Sequence, residues 1–252
     1  MIDLYLGDCL DVMPTLKAGS VDLVLTDPPY GTTACSWDSV IPLEPMWSEI
    51  WRVLKPNGAA VLFASQPFSA ALVMSQPRWF KQALVWKKNK ASGHLNAKRR
   101  PLTAHEDILV FYRKQPVYNP QRTSGHRARG GWKRGADTEV YGAQRPTTYE
   151  GTDDTRCPTS VLEADVVNND GTNGGRFHPT QKPVPLLSTL IRTYSNRDDV
   201  VLDFTMGSGS TGVACVETER SFIGIEQEAE FVEIAEARIA AAHAATKEDI
   251  FG

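Results

Sequence analysis

Residues 21–30 read Val-Asp-Leu-Val-Leu-Thr-Asp-Pro-Pro-Tyr. The run from Val21 to Thr26 is dense in branched apolar residues, which predicts a buried strand. Pro28 and Pro29 cannot donate to a sheet ladder and they stiffen the chain, so Asp27 and Tyr30 leave the strand in a fixed relation. A carboxylate at the carboxyl end of such a strand stands where open α/β sheets bind their ligands. Taken alone, the tetrapeptide is equally a turn opened by Asp-Pro, and the rest of the chain has to decide.

Outward from that stretch the pattern alternates. Upstream, Ile2 to Leu6 is a short strand ending at Gly7-Asp8-Cys9, which puts Asp8 at a second strand end. Residues 31–40 have turn composition around Trp37 and are expected to form a mobile loop. Leu43, Met46, Trp47, Ile50, Trp51 and Leu54 recur at three and four, an amphipathic helix that Lys55-Pro56-Asn57-Gly58 should end. Ala59 to Ala64 is the next strand, completing a β-α-β unit of right-handed connection. A helix over 67–74 and strands over 82–86 and 107–112 follow, with a basic loop over 87–100 between those strands.

From 115 to 176 the chain is rich in Gly, Pro, Thr, Arg and Asn and shows no period, so an irregular subdomain or a partly disordered stretch is expected. Order returns at His178-Pro179-Thr180-Gln181-Lys182-Pro183, where Thr180 suits an N-cap and Pro183 a first helical turn. A strand over 199–204 runs into Met206-Gly207-Ser208-Gly209-Ser210-Thr211-Gly212, a helix over 213–218 and a strand ending at Glu226. The last helix places Phe231, Ile234, Ala235, Arg238 and Ile239 on one stripe. Repeated alternation of strand and helix means a doubly wound, mostly parallel α/β sheet with helices on both faces.

Composition narrows the chemistry. At 252 residues, 41% hydrophobic and 23% charged, the chain is an ordinary globular protein with room for a real core. No apolar run reaches a membrane span and the start lacks a secretory pattern, so a cytoplasmic protein is expected. Cys9, Cys35, Cys157 and Cys215 are scattered and the histidines form no ligand pair, so no metal is expected. Net charge is −3, yet residues 81–145 carry 15 Lys or Arg against four acids. Such a basic segment in an otherwise acidic chain is the footprint of a polyanion partner.

Gly207, Gly209 and Gly212 follow a strand and open a helix, with Glu226 beyond, the pattern of an adenosine cofactor lying across strand ends. Nicotinamide dinucleotides and S-adenosyl-L-methionine both satisfy it. Asp27 favours the second, because methyl transfer to an exocyclic amine needs fixed acceptors. The amine's lone pair is delocalised into its ring; Asp27 and the Pro28 carbonyl would polarise the N–H bonds, and Tyr30 offers a stacking face for a flipped base. A nicotinamide-dependent oxidoreductase is the rival of another class, but no hydride-relay group can be placed.

D-P-P-Y, a later H-P-T-Q-K-P, and a strand running into G-S-G, in that order, resemble the β-group amino-methyltransferases of DNA. The resemblance implies a circularly permuted Rossmann-like methyltransferase fold of seven strands with one antiparallel hairpin. It implies a catalytic part over 1–114, a target-recognition insertion over 115–176 and a cofactor-binding part over 177–252. Carried over, Asp27, Pro28, Pro29 and Tyr30 are catalytic, and Asp8, Cys9, Asp27, Thr180, Lys182, Asp203, Gly207, Ser208, Gly209 and Glu226 meet S-adenosyl-L-methionine. Lys87, Lys88, Lys90, Lys98, Arg99, Arg100, Arg127, Arg129, Lys133 and Arg134 would contact double-stranded DNA. The family's D-P-F before the glycine turn is here Asp203-Phe204-Thr205, so packing near the methionine moiety is expected to differ. The expected activity is site-specific methylation of adenine N6, since Asp leads the motif; cytosine N4 is the alternative. The resemblance leaves room for a homodimer and a cognate restriction nuclease, in a bacterium, an archaeon or a phage-infected cell.

Overall fold

A computed structural model describes residues 1–31, 39–126, 130–134, 137–138, 142–143, 147–149, 154–167 and 181–251. The chain divides into one compact unit of Met1–Asn119 with Ser160–Gly252, and a second of Pro120–Thr159.

The first unit is an eight-stranded sheet. In chain order its strands are β1 (Ile2–Leu6), β2 (Val21–Thr26), β3 (Leu54–Ala64), β4 (Phe80–Ser92) and β5 (Thr103–Tyr112), then β10 (Val161–Ala164), β11 (Val200–Asp203) and β12 (Ser221–Glu226). In space they run β1-β12-β11-β2-β3-β5-β4-β10. Only β5 is antiparallel to its neighbours. Helices α1 (Cys9–Val12), α2 (Leu43–Val53) and α3 (Phe68–Ser75) share a core with one face, and α4 (Val184–Tyr194), α5 (Ser210–Glu217) and α6 (Ala229–Phe251) with the other.

Burial on both faces explains the unbroken apolar runs. In β3, Ala59, Val61 and Phe63 pack into one core cluster and Ala60, Leu62 and Ala64 into the other, the period of two that a strand imposes. The stripe of α2 buries Met46, Trp47, Ile50 and Val53. On α6, Ala235 and Ile239 are buried as their spacing predicts.

Several boundaries depart from the sequence reading. The resemblance implies seven strands; the eighth is β10, four residues with no readable alternation, held parallel to β4. Lys87 to Lys90 lie in β4 and not in a loop, because pairing with β5 continues past the apolar stretch to Lys87↔His105 and Ser92↔Thr103. Helix α2 ends at Val53 and β3 starts at once, so Lys55-Pro56-Asn57-Gly58 opens a strand; a register shift between Val21 and Leu23 absorbs the proline. Pro183 is the residue before α4, and Pro185 fills its first turn.

In the second unit the chain forms short antiparallel ladders, β6 (Trp132–Arg134) with β9 (Thr147–Tyr149) and β7 (Asp137–Thr138) with β8 (Gly142–Ala143). An isolated bridge joins Thr123 to Arg156. Strands of two or three residues are too short to show a period, which is why this region reads as patternless.

What positions the site is the neighbourhood of β11 and β2, registered Val201↔Leu23 and Leu202↔Val24. From β2 the chain proceeds through α2 to β3 on one side, and from β11 through α5 to β12 on the other. The two connections leave the same sheet edge in opposite directions, and a crevice opens between them.

Candidate active site

A cavity of about 1010 Å³ occupies that crevice. Its lining brings together Asp8 after β1, Asp27 and Tyr30 after β2, Asp203 ending β11, Gly207 in the glycine turn and Glu226 ending β12. The two sequence motifs therefore share one wall although some 180 residues of chain separate them.

At one end Asp27 is fully engaged. Tyr30 Oη donates to Asp27 Oδ1, and Lys182 Nζ donates to Oδ2. The Tyr30 ring stacks on Phe68 at 5.3 Å. Lys182, only 8% exposed, also lies 3.3 Å from Glu106 Oε2 and over the Phe63 ring at 5.1 Å. Glu106 Oε1 accepts from Lys88 Nζ. Tyr30, Asp27, Lys182, Glu106 and Lys88 thus form one chain of alternating acceptors and donors, its two anions matched by two cations. Burial pushes the Asp27 carboxyl above the ordinary carboxylate range against the pull of Lys182, with Glu106 adding to the rise. Burial disfavours the Lys182 ammonium too, but the charges of Asp27 and Glu106 outweigh it and hold its pKa above the usual lysine value.

On the neighbouring strand, Asp203 makes no ion pair among the described residues. Thr211 Oγ1 donates to Asp203 Oδ2 at 2.6 Å, and Oδ1 accepts from Thr26 Oγ1 at 2.8 Å and from the Thr205 amide at 3.2 Å. Burial pushes this carboxyl up to about 6 against those three donors. Thr205, where the resembling family has Phe, bonds Thr26 through its hydroxyl at 2.7 Å. Gly207 and Gly209 adopt left-handed conformations, φ 51° and 76°. A Cβ on Gly209 would stand 2.7 Å from Ala235 Cβ and 2.9 Å from its Cα, so only glycine lets the turn meet α6. Arg238 on α6 donates to the Ser208 carbonyl and hydroxyl and, at 3.1 Å, to Ser210 Oγ. Glu226 accepts amides from Gly207 at 2.9 Å, Gln227 at 2.9 Å and Glu228 at 3.1 Å. Asp8 caps α1 through the Leu10 amide at 2.7 Å.

The family model described as DNA methylase, N6/N4 type, matches residues 21–237. The chain belongs to this family. It is a DNA amino-methyltransferase, acting on adenine N6 or cytosine N4, and its methyl donor is S-adenosyl-L-methionine. The methyltransferase is 28% identical to the type II methyltransferase M.HpaI of Haemophilus parainfluenzae over 251 residues, 94% of this chain and 73% of that one. It is 27% identical to M1.MboII of Moraxella bovis over 246 residues, 89% of this chain and 91% of that one. Among solved structures, the M1.HpyAVI complex with S-adenosylmethionine superposes with a TM-score of 0.64 at 26% identity, covering 94% of this chain and all (100%) of that one. The cytosine-N4-specific PvuII methyltransferase shares the fold, with a TM-score of 0.68 at 17% identity over 96% of this chain and 91% of that one.

The remaining expected residues of the methyltransferase fall as follows. Pro28, Pro29, Cys9 and Ser208 line the cavity; Cys9 is buried, which with the charge of Asp8 pushes its thiol up to about 12. Thr180, Arg127 and Arg129 lie outside the described residues, and Lys133 and Arg134 are described only as strand backbone in β6. Lys98, Arg99 and Arg100 are exposed, and Lys90 is exposed and lines the cavity. Lys87 pairs with Glu163 at 2.8 Å at the surface. The Lys88 side chain is drawn in against Glu106 and is only 13% exposed. Glu106 was invisible in the sequence: Glu106-Asp107 ahead of an apolar run carries no motif, and only the tertiary fold brings Glu106 opposite Trp86 on β4 and within reach of Lys88 and Lys182. Among the described residues no helix is long and apolar enough to cross a membrane.

Proposed function

We propose that this chain is a site-specific adenine-N6 methyltransferase of double-stranded DNA, working in the cytoplasm on a base extruded from the helix. The observation that carries the reading is the shared cavity, in which a buried carboxylate after β2 faces the glycine turn after β11. Asp27 and the Pro28 carbonyl accept the N–H bonds of the target amine and aim its lone pair, Pro29 holds the pair rigid, and Tyr30 offers its ring to the base. When bound, S-adenosyl-L-methionine supplies an electrophilic methyl carbon whose sulfur leaves as a neutral thioether. The methylated amine must then lose one proton, and Asp27, with its proton affinity raised by burial, is the nearest acceptor.

Gly207, Ser208, Gly209 and Asp203 shape the cofactor end. Glu226, Asp8 and Cys9 line its adenosine side, and Thr180 and Lys182 belong to the same cofactor reading. The donor set fits such a ligand: carboxylates at the ends of β12 and β1 retain lone pairs for ribose hydroxyls and an adenine amine, and the cavity is large enough for cofactor and base together. Lys90, Lys98, Arg99 and Arg100 contact phosphates, and residues 115–176 read the sequence. A homodimer and service beside a cognate restriction nuclease belong to the same reading.

The test is incorporation of labelled methyl groups into plasmid DNA, followed by modification-sensitive sequencing. N6-methyladenine at one sequence context supports the proposal; N4-methylcytosine would transfer it to the other base, and label in neither would end it.

A further inference from the structure

The tip of the β4–β5 hairpin carries a feature that the chemistry above does not use. Leu95 is the most exposed large apolar side chain among the described residues, at 102% against 73% for Met74 and 67% for Met1. Its turn, the 3-10 segment His94–Asn96, is well built. Gly93, at φ 91°, opens it, and the Asn96 and Ala97 amides close on Gly93 and His94 at 2.9 and 3.1 Å. The amides of Arg99 and Arg100 both return to the Asn96 carbonyl, at 2.8 and 3.0 Å.

One exposed leucine needs no explanation by itself. What sets this one apart is its company: residues 87–105 contain six Lys or Arg and no acid. Lys90, Lys98, Arg99 and Arg100, on either side of it in the chain, are exposed. The base of the same hairpin belongs to the active site, since Lys90, Ala91 and Ser92 line the cavity. Leu95 is three positions on from Ser92, about 11 Å of chain at most. Exposed cations before and after Leu95 in the hairpin tip recruit a phosphate backbone; an exposed apolar branched side chain between them in the chain has nothing to gain from phosphate or water. It gains from an enclosed apolar space in the duplex, the gap left in the stack when a base departs.

We propose that Leu95 is a wedge that enters the DNA stack at the target nucleotide while Lys98, Arg99 and Arg100 hold the flanking phosphates. The proposal rests on the reading of Asp27 as acting on an extruded base. Extrusion gives up pairing and stacking; the leucine restores apolar contact on both sides of the gap and bars the base from returning. Its share of the work therefore vanishes when the target base is unpaired to begin with.

That property supplies the experiment. The full chain and Leu95→Ala are compared on two duplex oligonucleotides carrying the site mapped by sequencing, one fully paired and one abasic opposite the target. On the paired duplex the variant should lose about tenfold or more in turnover, and on the abasic duplex less than about twofold. Thermal midpoint should be unchanged, because nothing packs on Leu95. Turnover of the paired duplex within about twofold of wild type, or equal losses on both duplexes, would overturn the wedge. A wild-type chain that labels neither duplex overturns instead the reading of the active site, and the wedge with it.

Discussion

Asp27 follows β2 and Asp203 ends the neighbouring parallel strand β11; both line one cavity, Asp203 buried and Asp27 half-buried, yet they are held in opposite ways. Asp203 is fixed by two threonine hydroxyls and an amide on β2, α5 and the turn between. Asp27 is fixed by a phenol and by the end of a long lysine side chain that has a second carboxylate within 3.3 Å. Donors on rigid elements make a carboxylate part of the scaffold. A donor on a flexible stem, shared between two acceptors, can move toward Glu106 and free Asp27 Oδ2 for an incoming amine. The difference separates a carboxylate held by rigid neighbours from one whose lysine has a second anchor within reach.

Breaking the mobile end should give the largest effect. Asp27→Ala is expected to lower methyl transfer by about 10³-fold or more, with the cofactor dissociation constant, measured by calorimetry, within about threefold. A variant keeping near-normal activity would remove Asp27 from the chemistry. Breaking the rigid end should act on stability and the cofactor. Gly209→Ala combines left-handed strain with collision against Ala235, costing about 2–4 kcal/mol and weakening the cofactor more than DNA. Thermal melts with and without S-adenosyl-L-methionine measure both losses.

Glu106→Gln sharpens the comparison at the shared lysine. With its second anchor neutral, Lys182 stays on Asp27, so kcat should fall about tenfold while cofactor affinity holds. Glu106 is also one of the charges raising the Asp27 pKa, so the acid limb of the rate profile should move to lower pH. A variant with altered packing alone would lose stability without moving that limb.

The effect expected to leave turnover least changed concerns Asp203, whose carboxyl at about 6 lies above its ordinary 3.8. The folded state holds this proton more tightly than the unfolded state, so the group's contribution to stability is fully present below 3.8 and is lost as pH rises through about 6. Denaturant titrations should show wild type gaining on Asp203→Asn by on the order of 2 kcal/mol between pH 7 and pH 4. An unchanging difference would mean the carboxyl titrates normally despite its burial.

Legibility in the sequence followed how local each signal is. The strand into Asp27, the helix of Met46 and Ile50 and the glycine turn were readable because a period or a turn residue lies within a few positions. The strand over 161–164 and the ladders of 132–149 were not, since strands so short draw their definition from partners. Lys87 to Lys90 misled for a related reason: charged residues on a strand look like a loop until the neighbouring strand supplies their hydrogen bonds.

The sequence alone determined the elements that flank the cavity, their alternation and the order of the two motifs, because apolar periodicity and proline and glycine stereochemistry act through bonds. It could not determine that Asp27 shares a lysine with Glu106, or that Asp203 is held by two hydroxyls and an amide. Those facts depend on which strands become neighbours, and the energy of a buried charge is decided by what stands across the cavity rather than by what stands next in the chain.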